Sequence, residues 1–271
     1  MVEKILEGKG ALITGGASGF GRGVAYAFAE RGADLVLVDI NEDLLEETSK
    51  KIKEKTKQKV VPIVCDVSKS DQVDSMAKQA FQQLDNIYVL FNNAGLGTQF
   101  GRNILRIKED DWDKTMNVNL KGQWLVAQAL CRKMKSQKFE PLAGKVICTA
   151  SIAGMDVDPF IPAYSISKVG IIGLMQLLAK TLAPKVTVNA ISPGYHATGA
   201  YLNSVDDMII TMKHGNVRTP LNRVGTVEDV VNLVVFLASP SSNFITGHNF
   251  AIDGGIAEVG LPSFLTKDTI Y

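Results

Sequence analysis

A tyrosine and a lysine four residues apart, in the run Tyr164-Ser165-Ile166-Ser167-Lys168, open a strongly helical stretch that follows Pro159 and Pro162. Positions i and i+4 share one helix face, so the ammonium can stand beside the phenol and favour its ionised form. A phenol that titrates near pH ~10 in water then becomes a usable proton donor and acceptor near neutrality. Ser151 lies thirteen residues before Tyr164, at the end of the run Val146-Ile147-Cys148-Thr149-Ala150. Its hydroxyl could hold a substrate oxygen, although an isolated serine there reads first as a helix cap or turn residue. Y-x-x-x-K alone is a common accident, and its meaning depends on its companions.

The first companion is a phosphate cradle. The run Gly10-Ala11-Leu12-Ile13-Thr14 feeds Gly15-Gly16-Ala17-Ser18-Gly19-Phe20-Gly21, and a helical pattern begins at Arg22. Small residues let the backbone approach a cofactor's phosphates, and the free amides and dipole of a helix start favour their charge. The spacing is G-x-x-x-G-x-G rather than the strict G-x-G-x-x-G, so context must carry the reading. Asp39 ends the second apolar run twenty positions after Gly19. A carboxylate there can accept hydrogen bonds from the adenosine ribose; the competing reading is a cap for the helix that starts near Asn41. It would also repel the extra phosphate of NADP, and Ser18 rather than a basic residue precedes Gly19, so NAD is favoured over NADP. Asp66 and Val67, after the third run, are placed to meet the adenine ring, or to make a plain turn.

Around these residues, seven short apolar runs rich in Val, Ile and Leu alternate with helical segments, the pattern of βαβ units. The strands are expected at 10–14, 34–39, 60–65, 87–92, 144–150, 186–191 and 249–252, with helices beginning near Gly19, Asn41, Lys69, Lys108, Ala163 and Thr226. Right-handed crossovers divide such helices between the two faces, so the expected fold is α/β: a Rossmann-like, doubly wound sheet of about seven parallel strands. A single domain over residues 1–271 is expected. Residues 194–225 exceed an ordinary connector and read as a substrate lid. The apolar tail 256–271, with Val259, Leu261, Phe264, Leu265 and Tyr271, is expected to pack on its own chain or on a neighbouring subunit.

Composition narrows the function. With 46% apolar and 21% charged residues the chain is globular in type, and a formal net charge of +1 without a basic stripe speaks against nucleic acid as a partner. The lysine-rich run 50–59 reads as a solvated helix end. Cys65, Cys131 and Cys148 are odd in number and lie in apolar segments, which fits reduced core residues. His196, His214 and His248 stand at no metal-ligand spacing, so no metal is expected. No stretch reaches the ~18 uninterrupted apolar residues of a membrane span and the start lacks a signal-peptide region, so the expectation is a cytoplasmic protein with no membrane partner.

Taken together, these residues resemble the short-chain dehydrogenase/reductase family in its compact branch. Thr14 to Gly21 is similar to its T-G-x-x-x-G-x-G, Asn92-Asn93-Ala94-Gly95 to its N-N-A-G, and Asn119-Leu120-Lys121-Gly122 to its N-x-x-G. Ser151, Tyr164 and Lys168 match its catalytic spacing, and Pro193-Gly194 with Thr198 its P-G-x-x-x-T; Asp253-Gly254-Gly255 resembles its closing segment. The resemblance implies that Tyr164 is the general acid/base, that Ser151 positions the carbonyl, that Lys168 also binds the nicotinamide ribose, and that Asn119 holds a water in a proton relay. It further implies that Asn93, Ala94, Gly95, Pro193, Gly194, His196 and Thr198 line the cofactor. His196 departs from the aliphatic residue often found at its place, and the loop 136–144 is longer than usual. The expected activity is NAD-dependent exchange of hydride between a secondary alcohol and a ketone (polyol, cyclic alcohol, hydroxysteroid or hydroxyacyl). The alternatives are a 3-oxoacyl reductase of fatty-acid type and a non-catalytic scaffold subunit. The family commonly forms homo-oligomers, so a tetramer or dimer is expected. Tyr195, Tyr201, Met208, Met212, Met155 and Phe160 would form an apolar substrate pocket or simply pack within the lid.

Overall fold

The structure, a computed structural model, describes residues 2–97, 103–197 and 218–259. Seven strands form one sheet: β1 Gly10–Thr14, β2 Asp34–Asp39, β3 Val60–Val64, β4 Val89–Asn92, β5 Gly144–Thr149, β6 Val186–Pro193 and β7 Asn249–Ile252. Their order is β3-β2-β1-β4-β5-β6-β7, and every pairing is parallel. The order reverses direction between β1 and β4, which opens a crevice at the carboxyl ends of those strands, where ligands of such sheets bind. The doubly wound α/β expectation therefore holds, with β6 running two residues beyond the expected end, to Pro193.

Both faces of the sheet are covered because its strands are apolar on both sides. From β1, Leu12 joins one core, with Val73 and Met76 of α3 (Ser70–Gln83), Leu130 of α5 (Gly122–Lys135) and Ile171 and Met175 of α6 (Pro162–Leu182). Its neighbours Ala11 and Ile13 join the other, with Val24 and Phe28 of α1 (Gly19–Glu30), Leu45 and Ile52 of α2 (Glu42–Lys55) and Val230 and Val234 of α7 (Val227–Ala238). Alternation along a strand thus sorts its side chains into two cores, the physical basis of double winding.

Two local features position the site. The helical pattern expected from Lys108 is not one regular helix: α4 (Glu109–Met116) passes through a π-helical turn at Asn117–Lys121 before α5 begins. Such turns insert one extra residue into the ladder and re-aim the helix beyond them. The second feature is α6, long and apolar enough by length and composition to cross a membrane. Pro162 at its first turn starts it, and its inner face turns Tyr164, Ser165, Ser167 and Lys168 into the protein. A final short helix, α8 (Ile256–Val259), closes the described chain.

Candidate active site

The glycine loop is shaped for close approach. Gly15 (φ +67°) and Gly19 (φ +52°) adopt left-handed backbone, which side chains disfavour. A Cβ on Gly21 would stand 1.9 Å from the carbonyl oxygen of Gly15. Ser18 is the N-cap of α1, yet its side chain makes no capping hydrogen bond and no acidic residue occupies the first turn. The leading amides of α1 thus keep their partial positive charge for an outside anion, and the cradle fits a dinucleotide pyrophosphate.

At the end of β2, Asp39 accepts from the Ala17 amide through Oδ2 (3.0 Å) and from the Asn41 amide through Oδ1 (3.1 Å). The cap of α2 is Asn41, whose side chain accepts from the Leu44 amide at 3.0 Å, so Asp39 is not the capping residue. Each carboxylate oxygen retains accepting capacity toward the crevice. Asp66 does make a turn: its Oδ1 accepts from both the amide (2.9 Å) and the hydroxyl (2.7 Å) of Ser68. Turn-former and crevice-lining residue are here the same side chain.

The Tyr164–Lys168 pair forms as the i, i+4 spacing requires. Lys168 Nζ lies 5.3 Å from the centre of the Tyr164 ring and donates to the Thr149 carbonyl at 3.0 Å. Burial pushes the Lys168 amine down to about 8, so it remains largely charged at neutral pH. Ser151 caps the 3-10 turn Ile152–Gly154 by accepting from the Ala153 amide at 3.2 Å, which leaves its hydroxyl proton free to donate. The cap reading and the substrate-holding reading therefore use different parts of one hydroxyl. Asn119 is fully buried in the π-helical turn; Oδ1 accepts from the Leu96 amide (2.7 Å), and Nδ2 donates to the Leu96 carbonyl (3.3 Å) and to Ser167 Oγ (3.2 Å). Its side chain ties the N-N-A-G loop to α6 rather than facing the crevice.

A cleft of about 630 Å³ runs from Asp39 to Tyr164. Its wall includes Gly15, Ser18, Gly19, Phe20, Asp39, Asp66 and Val67 at one end, and Asn93, Ala94, Gly95, Tyr164, Lys168 and Pro193 at the other. Gly21, Asn119, Ser151, Gly194 and His196 stand beside or behind that wall. Thr198 lies outside the described residues, as do Tyr201, Met208, Met212 and the tail from 260 onward. Met155 and Phe160 are exposed, and a smaller hollow against Tyr164 is lined by Ile107, Asp111, Thr115 and Ile161. Among the described residues no three His, Cys, Asp or Glu side chains gather as a metal site requires.

Four buried polar residues hold this geometry, and of them the sequence singles out only Thr14, as the start of the T-G-x-x-x-G-x-G segment. Thr14 Oγ1 accepts from the amides of Asn93 (2.8 Å) and Ala94 (3.0 Å), locking β1 to the N-N-A-G loop. Thr149 donates from Oγ1 to Asn93 Oδ1 at 3.1 Å, and its carbonyl receives both Lys168 Nζ and Gln123 Nε2 (3.1 Å). Ser167 donates to the Tyr164 carbonyl at 2.7 Å. A polar residue closing an apolar strand at its carboxyl end, as Thr14 and Thr149 do, was the available signal; nothing local marks Gln123 or Ser167.

Comparison with known proteins gives the same direction. Residues 15–257 match the family model described as enoyl-(acyl carrier protein) reductase. The chain is 36% identical to 3-oxoacyl-(acyl-carrier-protein) reductase FabG of Thermotoga maritima over 252 residues, 93% of this chain and 98% of that one. It is 37% identical to L-2,3-butanediol dehydrogenase of Corynebacterium glutamicum over 261 residues, 92% of this chain and 98% of that one. Among solved structures, NAD+-bound xylitol dehydrogenase superposes with a TM-score of 0.84 at 31% identity, covering 92% of this chain and 99% of that one.

Proposed function

This chain belongs to the short-chain dehydrogenase/reductase family, and we propose that it is an NAD-dependent oxidoreductase that interconverts a secondary alcohol and a ketone with Tyr164 as general acid/base. The observation that carries the proposal is the buried Lys168 ammonium, pinned by Thr149 beside the Tyr164 ring, in a cleft continuous with the uncapped start of α1.

The nicotinamide, when bound, supplies or accepts the hydride; orientation and proton transfer are the protein's part. In the oxidising direction Tyr164 Oη, as phenolate, takes the alcohol proton, and Ser151 Oγ donates a hydrogen bond to the same substrate oxygen. Lys168 keeps the phenolate in reach of neutral pH by charge and binds the nicotinamide ribose. Asn119, whose side chain is engaged with Leu96 and Ser167, is the residue read as holding a water of the proton relay. Gly15 to Gly21 hold the pyrophosphate, Asp66 and Val67 the adenine, and Asn93, Ala94, Gly95, Pro193 and Gly194 the nicotinamide end.

The NAD preference rests on Asp39. A second negative charge about 4 Å away costs about 4 kcal/mol at the effective dielectric of a protein surface, against about 1 kcal/mol in water, and a 2′-phosphate brings such a charge. The NAD+ held by the xylitol dehydrogenase relative supports the same preference. The likeness to FabG favours one second reading, reduction of a 3-oxoacyl thioester. Simple diols and ketones on one side, and a 3-oxoacyl thioester on the other, distinguish the two by relative kcat/KM.

The reading extends to the whole chain as one domain; the lid expected at 194–225 and the tail expected at 256–271 lie largely outside the described residues. An outer stripe of α5 and α6, with Trp124, Ile166, Val169 and Leu177 exposed, supports a homo-oligomer, dimer or tetramer. Three buried, unpaired cysteines suit a reducing cytoplasm. The test is Tyr164→Phe: turnover of alcohol with NAD falls at least about a thousandfold while NADH binding is retained. A variant with undiminished turnover overturns the proposal.

A further inference from the structure

Phe20 forms part of the cleft wall, and the imidazole of His196 stands behind it, edge-on, with ring centres 5.3 Å apart at 87°. His196 is 3% exposed. Its Nδ1 lies 3.1 Å from the Gly194 carbonyl oxygen, and a carbonyl only accepts, so Nδ1 carries the proton and Nε2 is bare. Among the described residues Nε2 is buried without a hydrogen-bond partner. The opposite edge of the ring abuts Gly225, where a Cβ would stand 2.3 Å from Nε2 and 2.4 Å from Cδ2. Gly225 is fixed there by a parallel bridge: its amide donates to the Tyr195 carbonyl (2.8 Å), and the Ala197 amide donates to its carbonyl (3.0 Å). One ring thus touches the glycine loop, the chain leaving β6 and the residue that leads into α7.

We propose that His196 is a positioning residue for the dinucleotide: as a neutral wedge filling the space left by glycine at 225, it sets where Phe20 meets the cofactor and where the chain beyond β6 rejoins α7. The proposal rests on the reading of the cleft as a dinucleotide site. The fit is one of size, because any side chain at 225 competes with the ring for the same volume. The fit also depends on charge, because a second proton on Nε2 would be buried with no acceptor among the described residues. Burial holds the imidazole's pKa below its ordinary value. Against that act the Gly194 carbonyl, Asp229 of α7 and Asp253 after β7, while Arg223, before α7, acts with it. Phe20, the contact from the glycine loop, carries no charge, so acidification has to work on the ring itself.

The experiment measures NADH affinity by fluorescence for the wild type, Gly225→Ala, His196→Ala and the double variant, each between pH 7.5 and 5.5. Gly225→Ala is expected to weaken NADH binding at least tenfold at pH 7.5, and adding His196→Ala to restore most of it. The wild type is expected to lose affinity only toward the acid end of the range, because burial holds the imidazole below its ordinary pKa, and His196→Ala to lose that dependence. A double variant no tighter than Gly225→Ala, or an acid dependence undiminished in His196→Ala, overturns the proposal. The pH comparison of the wild type with His196→Ala does not use Gly225→Ala, so a poorly folding Gly225→Ala leaves that arm of the test intact. A wild type that binds neither NADH nor NADPH overturns the dinucleotide reading, and the positioning role falls with it.

Discussion

Lys145 lies on β5, 1% exposed, and its Nζ bonds to the hydroxyl of Ser242 at 2.9 Å; that hydroxyl in turn donates to the Leu237 carbonyl at 2.8 Å. Burial first, and the nearby Lys9 second, bring its amine down from 10.5 to about 8. The unfolded chain therefore binds a proton more tightly than the folded one, and stability rises with pH between about 8 and 10.5. Below about 8 the fold carries a buried ammonium at a steady cost of about 3 kcal/mol, the shift multiplied by 1.36 kcal/mol per unit. Lys145→Met keeps an unbranched side chain of similar length and removes that cost, while forfeiting about 1 kcal/mol with the Ser242 hydrogen bond. The net gain is about 2 kcal/mol at pH 7, or about 3–4 °C in Tm for a chain of this size. Urea or thermal unfolding of both proteins from pH 6 to 10 reads it: the variant's advantage should be full at pH 6 to 7 and shrink steadily toward pH 10. Parallel stability curves, or a variant less stable at pH 7, would refute the account of a buried, poorly compensated charge.

Asp39→Ser should exchange cofactor preference, weakening NADH by about tenfold and strengthening NADPH by at least as much, since a charged acceptor is worth about 1.5–3 kcal/mol; a Kd ratio left unchanged would count against ribose recognition by Asp39. Gly21→Ala should abolish dinucleotide binding, because its Cβ would meet the Gly15 carbonyl at 1.9 Å; calorimetric titration with NADH reads this, and wild-type affinity would contradict the close-approach argument. The start of α7 is clasped by Arg223 and Thr226 on Asp229, whose carboxyl is held well below the usual carboxylate range chiefly by the Arg223 guanidinium. A depressed folded pKa gives stability that is present above about pH 4 and lost as pH falls below it. Arg223→Ala should therefore make acid unfolding shallower below pH 4, and an unchanged acid limb would show that the clasp is unpaired in solution.

The strands were legible because each is a short apolar run bounded by breakers, and Gly10, Asp34 and Gly144 start strands where the pattern places them. Periodicity could not reveal the π-helical turn at 117–121: one residue wound into a helix leaves the apolar spacing on either side intact. The cleft residues carried signals of their own type, a glycine loop, a strand-end carboxylate and a Tyr–Lys pair. Thr149 and Gln123 did not, because their role exists only where residues 26 apart in sequence meet at one carbonyl that Lys168 also needs. Asn119 shows the limit from the other side: its motif was visible, but the commitment of its amide to Leu96 and Ser167 emerges only from three-dimensional convergence.

The π-helical turn also sets how this chain tolerates changes in length. Removing the extra residue of such a turn lets the segment relax to regular α-helix, so deleting one between 117 and 121 leaves α5 nearly in phase with α4, whereas a deletion in a regular stretch would turn the helix beyond it by about 100°. Leu125 and Leu130 then keep their places in the core, and the loss falls on Asn119, which the turn aims at the Leu96 loop. Trimming one residue there is consequently a lesion of the site rather than of the core, the reverse of what the same cut would do inside α4 or α5.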